Sequence, residues 1–278
     1  MPAKSEKVIV LAALRDCQST LPTILSLCAD ISSSFTEAHF VFVENDSKDA
    51  TRAYIESWRA NRKDCTLISP TYPIAHLKRT ERLAICRNLV LDFAKRHLID
   101  FGLMIVFDVD LSINDLSASA LVAAAQFLLS TPSAIGVFAN SEPVYYDIWA
   151  LRHPVWCPTD CWREIRRHRH WPLSYAEATF VSSRQLRIER YAPPICVASA
   201  FNGLGIYRFA KVVDGRYCGV DLSGRETCEH VAFHGSIAGQ QERAFFILQP
   251  LVLACIPRME RQILSAPTSV LVYDSASY

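Results

Sequence analysis

Asp108 and Asp110 are the residues whose type and spacing most directly suggest chemistry. They flank Val109 at the end of a nearly continuous apolar run, Gly102 to Asp108 (GLMIVFD). Such a run suits a strand of a parallel sheet that is covered on both faces. Side chains alternate along a strand, so the two carboxylates share a side. Open α/β sheets bind ligands at the carboxyl ends of their strands. Two hard oxygen donors there can hold Mg²⁺ or Mn²⁺, and the metal can hold a diphosphate and neutralise the charge on a leaving nucleotide. A strand-end Asp also serves as a turn cap, so the metal reading draws on its neighbours.

Three further constellations accompany it. Glu44-Asn45-Asp46-Ser47-Lys48-Asp49-Ala50-Thr51 follows a strand and opens a helix. Its short acidic and amide side chains can bond a ribose and base, with Glu44 and Asp46 as candidates, while Ser47 or Asp49 can cap the helix. In Arg79-Thr80-Glu81-Arg82, the two arginines share a helical face. Guanidinium forks suit a diphosphate; the alternative is a solvated face with Glu81 paired locally. Arg87 lies further along, at the boundary of the apolar stripe, and Asn88 is placed to bond the first-strand loop. Thr227 to His234 (TCEHVAFH) carries Glu229, His230 and His234. If it is helical, both imidazoles face the same way. His234 is then a candidate third metal ligand, and Glu229 a general base for an acceptor hydroxyl. The alternative is a pair of core histidines, and the order is not the HExxH of a metalloprotease.

These residues need elements to position them. The first half alternates strand-like and helix-like segments, which predicts parallel βαβ units. Strands are expected at Val8 to Leu14, Ala38 to Glu44, Cys65 to Ser69, Gly102 to Asp108 and Ile135 to Ala139. Helices are expected at Thr20 to Ser34, Asp49 to Arg62, Arg79 to His97 and Ser117 to Leu129. In the third helix Leu83, Cys86, Val90, Phe93 and Ala94 recur at helical spacing. Trp149 to Trp171 reads as a long, partly ordered excursion. Ile195 to Tyr207 is strand-like, and the chain ends in a short apolar run with little amphipathic helix.

Bulk composition excludes several classes. The chain has 278 residues, enough for one large domain or a domain with a subdomain. A net charge of +1 gives no strong field to draw in nucleic acid or an anionic membrane, and the sequence lacks a long basic run with interleaved aromatics. The start, Met1 to Lys7, is polar, and no apolar stretch is long enough to span a membrane. We therefore expect a soluble, cytoplasmic protein without a signal peptide, although a piece of a longer membrane-anchored protein fits the same features. The ten cysteines are scattered and read as reduced thiols. Cys157 and Cys161 have a spacing that can serve zinc, but no second pair completes a site.

With these residues in hand, the chain resembles GT-A-type glycosyltransferases. The resemblance rests on the first strand ending in Ala12-Ala13-Leu14-Arg15, the ENDSKDAT turn and FDVD, in that order, and it covers roughly residues 8 to 235. More distantly, the chain is similar to the fungal capsule-associated mannosyltransferases. The segments carrying that likeness are RTERLAICRN, Tyr145 to Arg152 (YYDIWALR), Ala200 to Gly203 and Cys228-Glu229. FDVD and the imidazoles His230 and His234 depart from the pattern of that narrower family.

The resemblance implies a GT-A-like, Rossmann-like α/β fold. Its mostly parallel sheet would be flanked by helices in a single domain, with residues 1–140 for the nucleotide and 141–278 for the sugar and acceptor. It implies a UDP- or GDP-sugar donor, Mn²⁺ or Mg²⁺, and a carbohydrate or glycan acceptor. Ala13, Leu14 and Arg15 would line the nucleotide pocket and Glu44 the ribose or base. Asp110 would hold the metal directly, with Asp108 and the adjacent Val109 on the ribose or metal. Tyr146, Asp147, Trp149 and Arg152 would face the sugar or acceptor, with His230 on the substrate side and Asn202 on the donor sugar. An aromatic face packs on a pyranose ring while Asp and Arg bond its hydroxyls. Two rivals stand. A nucleotidyltransferase also uses paired carboxylates, but usually with a Gly-rich loop where this chain has none. A nucleotide-sugar-binding module without catalysis is the non-enzymatic alternative.

Overall fold

Local hydrophobicity and alternation build the first half of the protein. In the computed structural model, which describes residues 6–109, 116–237 and 244–254, the first four strands are β1 (Lys7–Leu14), β2 (Glu37–Glu44), β3 (Cys65–Ile68) and β4 (Leu103–Phe107). They lie parallel in the order β3-β2-β1-β4. Their side chains alternate between two cores. Ile9, Leu11, Val41, Val43, Met104 and Val106 enter one core. Val8, Val10, Phe40, Phe42, Ile105 and Phe107 enter the other.

The helices cover these two faces. α1 (Leu21–Ser34), α2 (Thr51–Arg59) and α4 (Ala118–Ser130) close the second core through Ile24, Ile55 and Leu121. α3 (Arg79–His97) closes the first through Ala84, Val90 and Ala94, joined by Phe233 of α8 (Glu229–Ile237). Between them in the chain come α5 (Cys161–Arg167), α6 (Leu173–Phe180) and the short α7 (Phe209–Val212).

The second half completes a mixed sheet. β5 (Ala134–Glu142), β6 (Ile195–Val197), β7 (Leu204–Arg208) and β8 (Ala244–Ala254) extend the order to β3-β2-β1-β4-β7-β5-β8-β6. β7 is antiparallel to both β4 and β5, β8 is parallel to β5, and β6 is antiparallel at the edge. Four of the seven neighbouring pairs are parallel, so the sheet is mostly parallel, with one inverted strand near its centre.

The departures from the sequence reading have local causes. The expected helix 49–62 narrows to α2 because Asp49 Oδ1 accepts from the Thr51 backbone N–H at 2.9 Å, making a turn before the helix begins. The strand-like stretch 195–207 is two strands, split where Asn202 (φ 53°) and Gly203 (φ 85°) take left-handed backbone. The excursion 149–171 is ordered, and it contains α5 followed closely by α6. The late apolar run falls in the eleven-residue β8, preceded by α8, and residues 255–278 lie outside the described residues. In α8 the buried positions are Glu229, His230, Phe233, His234 and Ile237, a helical stripe written largely in polar letters. Among the described residues no helix is long and apolar enough to cross a membrane.

Candidate active site

The carboxyl ends of β1, β2 and β4 open onto one edge, and their loops are tied together. Asp16 N–H donates to Ser47 Oγ at 3.1 Å, and Lys48 N–H donates back to Asp16 Oδ1 at 2.7 Å. Gln18 N–H donates to Asp49 Oδ2 at 3.0 Å, and Cys17 N–H to Thr51 Oγ1 at 2.8 Å. Asp16 and Asp46 both sit at positive φ, 47° and 58°, which Asp tolerates better than most residues. Thr20 Oγ donates to the Val109 carbonyl at 2.5 Å, which brings the β4 exit to the same cluster.

Several expected nucleotide contacts sit on this edge. Glu44 is buried, accepting from Ser47 N–H at 2.9 Å and from Arg52 at 3.3 Å, so it shapes the turn as well as facing it. Asp46 is exposed. Ala13 is half-buried, whereas the Leu14 side chain belongs to the core and only its backbone reaches the edge, accepting from Asn45 N–H at 3.2 Å. Val109 is likewise buried, contributing its carbonyl. Arg15 keeps its Nη1 buried without a hydrogen-bond partner, its Nε lying 3.6 Å from Asp16. Buried donors are normally satisfied, and this one is an exception. Asp110 lies outside the described residues.

Behind the edge stands the buried cation Arg87 (4% exposed). Its Nη2 donates to Asp108 Oδ1 at 2.6 Å, and its Nη1 donates to Glu229 Oε1. The guanidinium lies 5.2 Å from the Phe201 ring centre and 5.9 Å from that of Tyr217. Removing either kind of charge from such a group is costly, because the remainder stays desolvated. Asp108, with its side chain 31% exposed, is the member that reaches the surface. Its backbone N–H donates to Gly203 O at 2.9 Å, so β7 helps to hold it. The void lined by Ala13, Arg87, Val106 and Tyr217 is only about 10 Å³, room for one water.

This arrangement corrects the expectations for the TCEHVAFH segment. Glu229 is buried at the start of α8, where its Oε1 accepts from Arg87. His234 is fully buried, with Nδ1 at 2.8 Å from Ser199 Oγ and Nε2 at 3.0 Å from Tyr207 Oη. Both nitrogens are engaged, which rules out the metal role, and burial lowers its pKa to about 3. His230 is stacked on Phe201 at 3.5 Å and sealed from any substrate; burial, then the Arg87 charge, hold its pKa well below the ordinary range.

The arginines of α3 separate into three roles. Arg79 is exposed at the first helical position and makes no ion pair among the described residues. Arg82 Nη1 donates to the carbonyls of Ala75 and Leu77 at 3.0 and 3.2 Å. Arg87, set aside in the sequence as a boundary residue, is the centre of the site. Its signal was a charge at a stripe position that periodicity assigns to the core. Asn88 pairs with the Tyr217 backbone in both directions, at 2.9 and 3.0 Å, and not with the first-strand loop. The Tyr217 loop packs so closely on α3 that a Cβ on Gly219 would lie 2.1 Å from the Thr80 carbonyl oxygen.

The expected sugar-facing residues form a wall whose polar groups mostly bond one another. Asp147 accepts from the backbone N–H groups of Ala150 and Asn202, both at 3.2 Å. Asn202 Oδ1 accepts from Asp147 N–H at 3.2 Å, and its amide donates to Ala139 O. Burial raises the Asp147 carboxyl above its usual range, against the lowering effect of those two bonds. Trp149 Nε1 and Arg152 Nη2 both donate to Asp160 Oδ2, at 3.0 and 3.1 Å. The polar groups of Asp147, Asn202, Trp149 and Arg152 are thus engaged within the wall. Tyr146 is 49% exposed. Cys157 and Cys161 are free, buried thiols, Cys161 pushed up to about 12 by burial. No group of three His, Cys, Asp or Glu among the described residues can hold a metal.

Fold and edge together define a GT-A-like α/β protein, and comparison with solved structures agrees. The chain is similar to a mannosyltransferase from Pyrobaculum calidifontis in complex with GDP-Man and Mn²⁺, with 13% identity, a TM-score of 0.56, and coverage of 94% of this chain and 60% of that one. It is similar to S. aureus TarS in complex with UDP-GlcNAc, with 13% identity, a TM-score of 0.52, and coverage of 92% and 60%. The chain thus spans about 60% of the length of these structures, and the likeness is one of fold. No family model and no curated protein matches the sequence.

Proposed function

We propose that the protein is a glycosyltransferase that passes a hexosyl or pentosyl unit from a UDP- or GDP-linked donor to a hydroxyl of a glycan acceptor. The single observation that carries this reading is Arg87, whose guanidinium holds Asp108 at the β4 exit, beside the laced β1 and β2 loops. Solved structures of the same fold hold nucleotide sugars, which supports a donor over those strand ends. On this reading residues 1–140 bind the donor and 141–278 the acceptor, within one domain.

The donor chemistry of Asp108 and Asp110 suits Mn²⁺ or Mg²⁺, since both cations prefer carboxylate oxygens. Asp108 already has Oδ1 committed to Arg87, so Asp110 takes the direct contact and Asp108 stands oriented beside it. When bound, the cation neutralises charge on the departing nucleoside diphosphate. The unsatisfied Arg15 and the exposed Arg79 offer guanidinium groups to phosphate. Glu44 and Asp46 line the ribose and base side. Glu229 acts through Arg87, keeping its guanidinium turned toward Asp108.

The test is turnover of a panel of UDP- and GDP-sugars with and without Mn²⁺, in the wild type and in Asp110→Ala. Metal-dependent turnover is expected in the wild type. The variant is expected to lose metal-dependent donor binding while its melting temperature holds. Metal-dependent nucleotide binding without turnover on any donor would make the protein a binding module. Equal donor affinity in Asp110→Ala would remove the metal assignment.

A further inference from the structure

The segment joining β5 to β6 carries a charge that the rest of the chain does not. Between Cys161 and Tyr175 lie Arg163, Arg166, Arg167 and Arg169 against one acid, Glu164, in a chain of net charge +1. Arg167 is paired with that glutamate at 2.9 Å. Arg163, Arg166 and Arg169 are exposed and make no ion pair among the described residues. The active-site wall uses only the other end of α5, where Asp160 holds Trp149 and Arg152.

Beside these arginines is an aromatic surface. Trp171 stacks on Phe180 at 5.8 Å and meets His168 at 4.5 Å and Tyr175 at 5.1 Å. Leu173 and Tyr175, at the start of α6, are each 59% exposed. Unpaired guanidinium groups thus adjoin apolar side chains that project into water.

We propose that this face docks on an anionic lipid bilayer. The arginines meet the headgroups, and Leu173 and Tyr175 enter the boundary with the acyl chains. A soluble polyanion would satisfy the arginines alone and leave Leu173 and Tyr175 in water; the bilayer surface matches both. The attachment is peripheral and needs no spanning helix.

The experiment is co-sedimentation of the full chain with vesicles of phosphatidylcholine alone and of phosphatidylcholine with phosphatidylserine. Binding is expected only to the second, and salt is expected to weaken it. The triple variant Arg163→Ala, Arg166→Ala, Arg169→Ala should lower the partition coefficient roughly a hundredfold. The double variant Leu173→Ser, Tyr175→Ser should lower it roughly tenfold. Thermal melts check that both variants fold, and a single-site variant from the same set replaces one that does not. Equal binding to both vesicle types, or binding to neither, overturns the proposal. So does heparin binding that the arginine variant loses and the Leu173/Tyr175 variant keeps, with vesicle binding absent: the partner is then a soluble acidic polymer.

Discussion

The loops after β1 and β2 and the wall after β5 use the same residue types in opposite ways. In the loops, Asp16, Ser47 and Asp49 accept from backbone N–H groups of the facing loop. Arg15 keeps a donor without a partner there. In the wall, Asp147 and Asn202 close on each other, and Asp160 takes both Trp149 and Arg152. One region holds its backbone and leaves charge to be used; the other spends its charge internally. A polar residue in a motif becomes a ligand contact only where its neighbours have not already satisfied it.

Arg87, buried between the β4 exit and α8, lies behind both regions, and breaking it should have the largest effect. Arg87→Met leaves Asp108 and Glu229 facing each other without a cation, and a loss of about 3–5 kcal/mol is expected in urea unfolding. A loss under about 1 kcal/mol would mean that the two carboxylates are independently solvated.

The second test sharpens the contrast by pH. His234 titrates at about 3 in the folded protein, against an ordinary value of 6.5. Above pH 6.5 both states are neutral there. As pH falls below 6.5 the unfolded chain takes up a proton that the folded chain refuses, so stability declines until about pH 3. One such proton is worth roughly 1.4 kcal/mol per pH unit. His234→Gln should reduce the acid slope of unfolding free energy by up to that amount. An unchanged slope would show that the imidazole is hydrated in the folded state.

The smallest expected change in stability is at Arg15. Arg15→Ala should leave the unfolding free energy within about 0.5 kcal/mol, as is usual away from the core. Nucleotide-diphosphate affinity should nevertheless fall roughly tenfold by calorimetry, the scale of one charge-assisted contact. Equal affinity would place Arg15 with the wall residues, as structure and not ligand.

Much of the first half was legible because burial there is written locally. The runs KVIVLAAL and LMIVF state their own two-sided burial, and α3 falls at Arg79–His97 as its periodicity requires. The second half was harder. α8 buries Glu229, His230 and His234, so its inward stripe does not look hydrophobic. The same polar letters suggested a base and a metal ligand, whereas Arg87, Ser199 and Tyr207 satisfy Glu229 and His234 inside the fold.

By itself the sequence determined the parallel core and the place of Asp108 at a strand's exit, because strand burial depends on neighbours two residues away. Only the tertiary structure decided that Arg87 closes on partners 21 and 142 residues distant. That pairing depends on where α3, β4 and α8 come to rest against one another, and no local spacing encodes it.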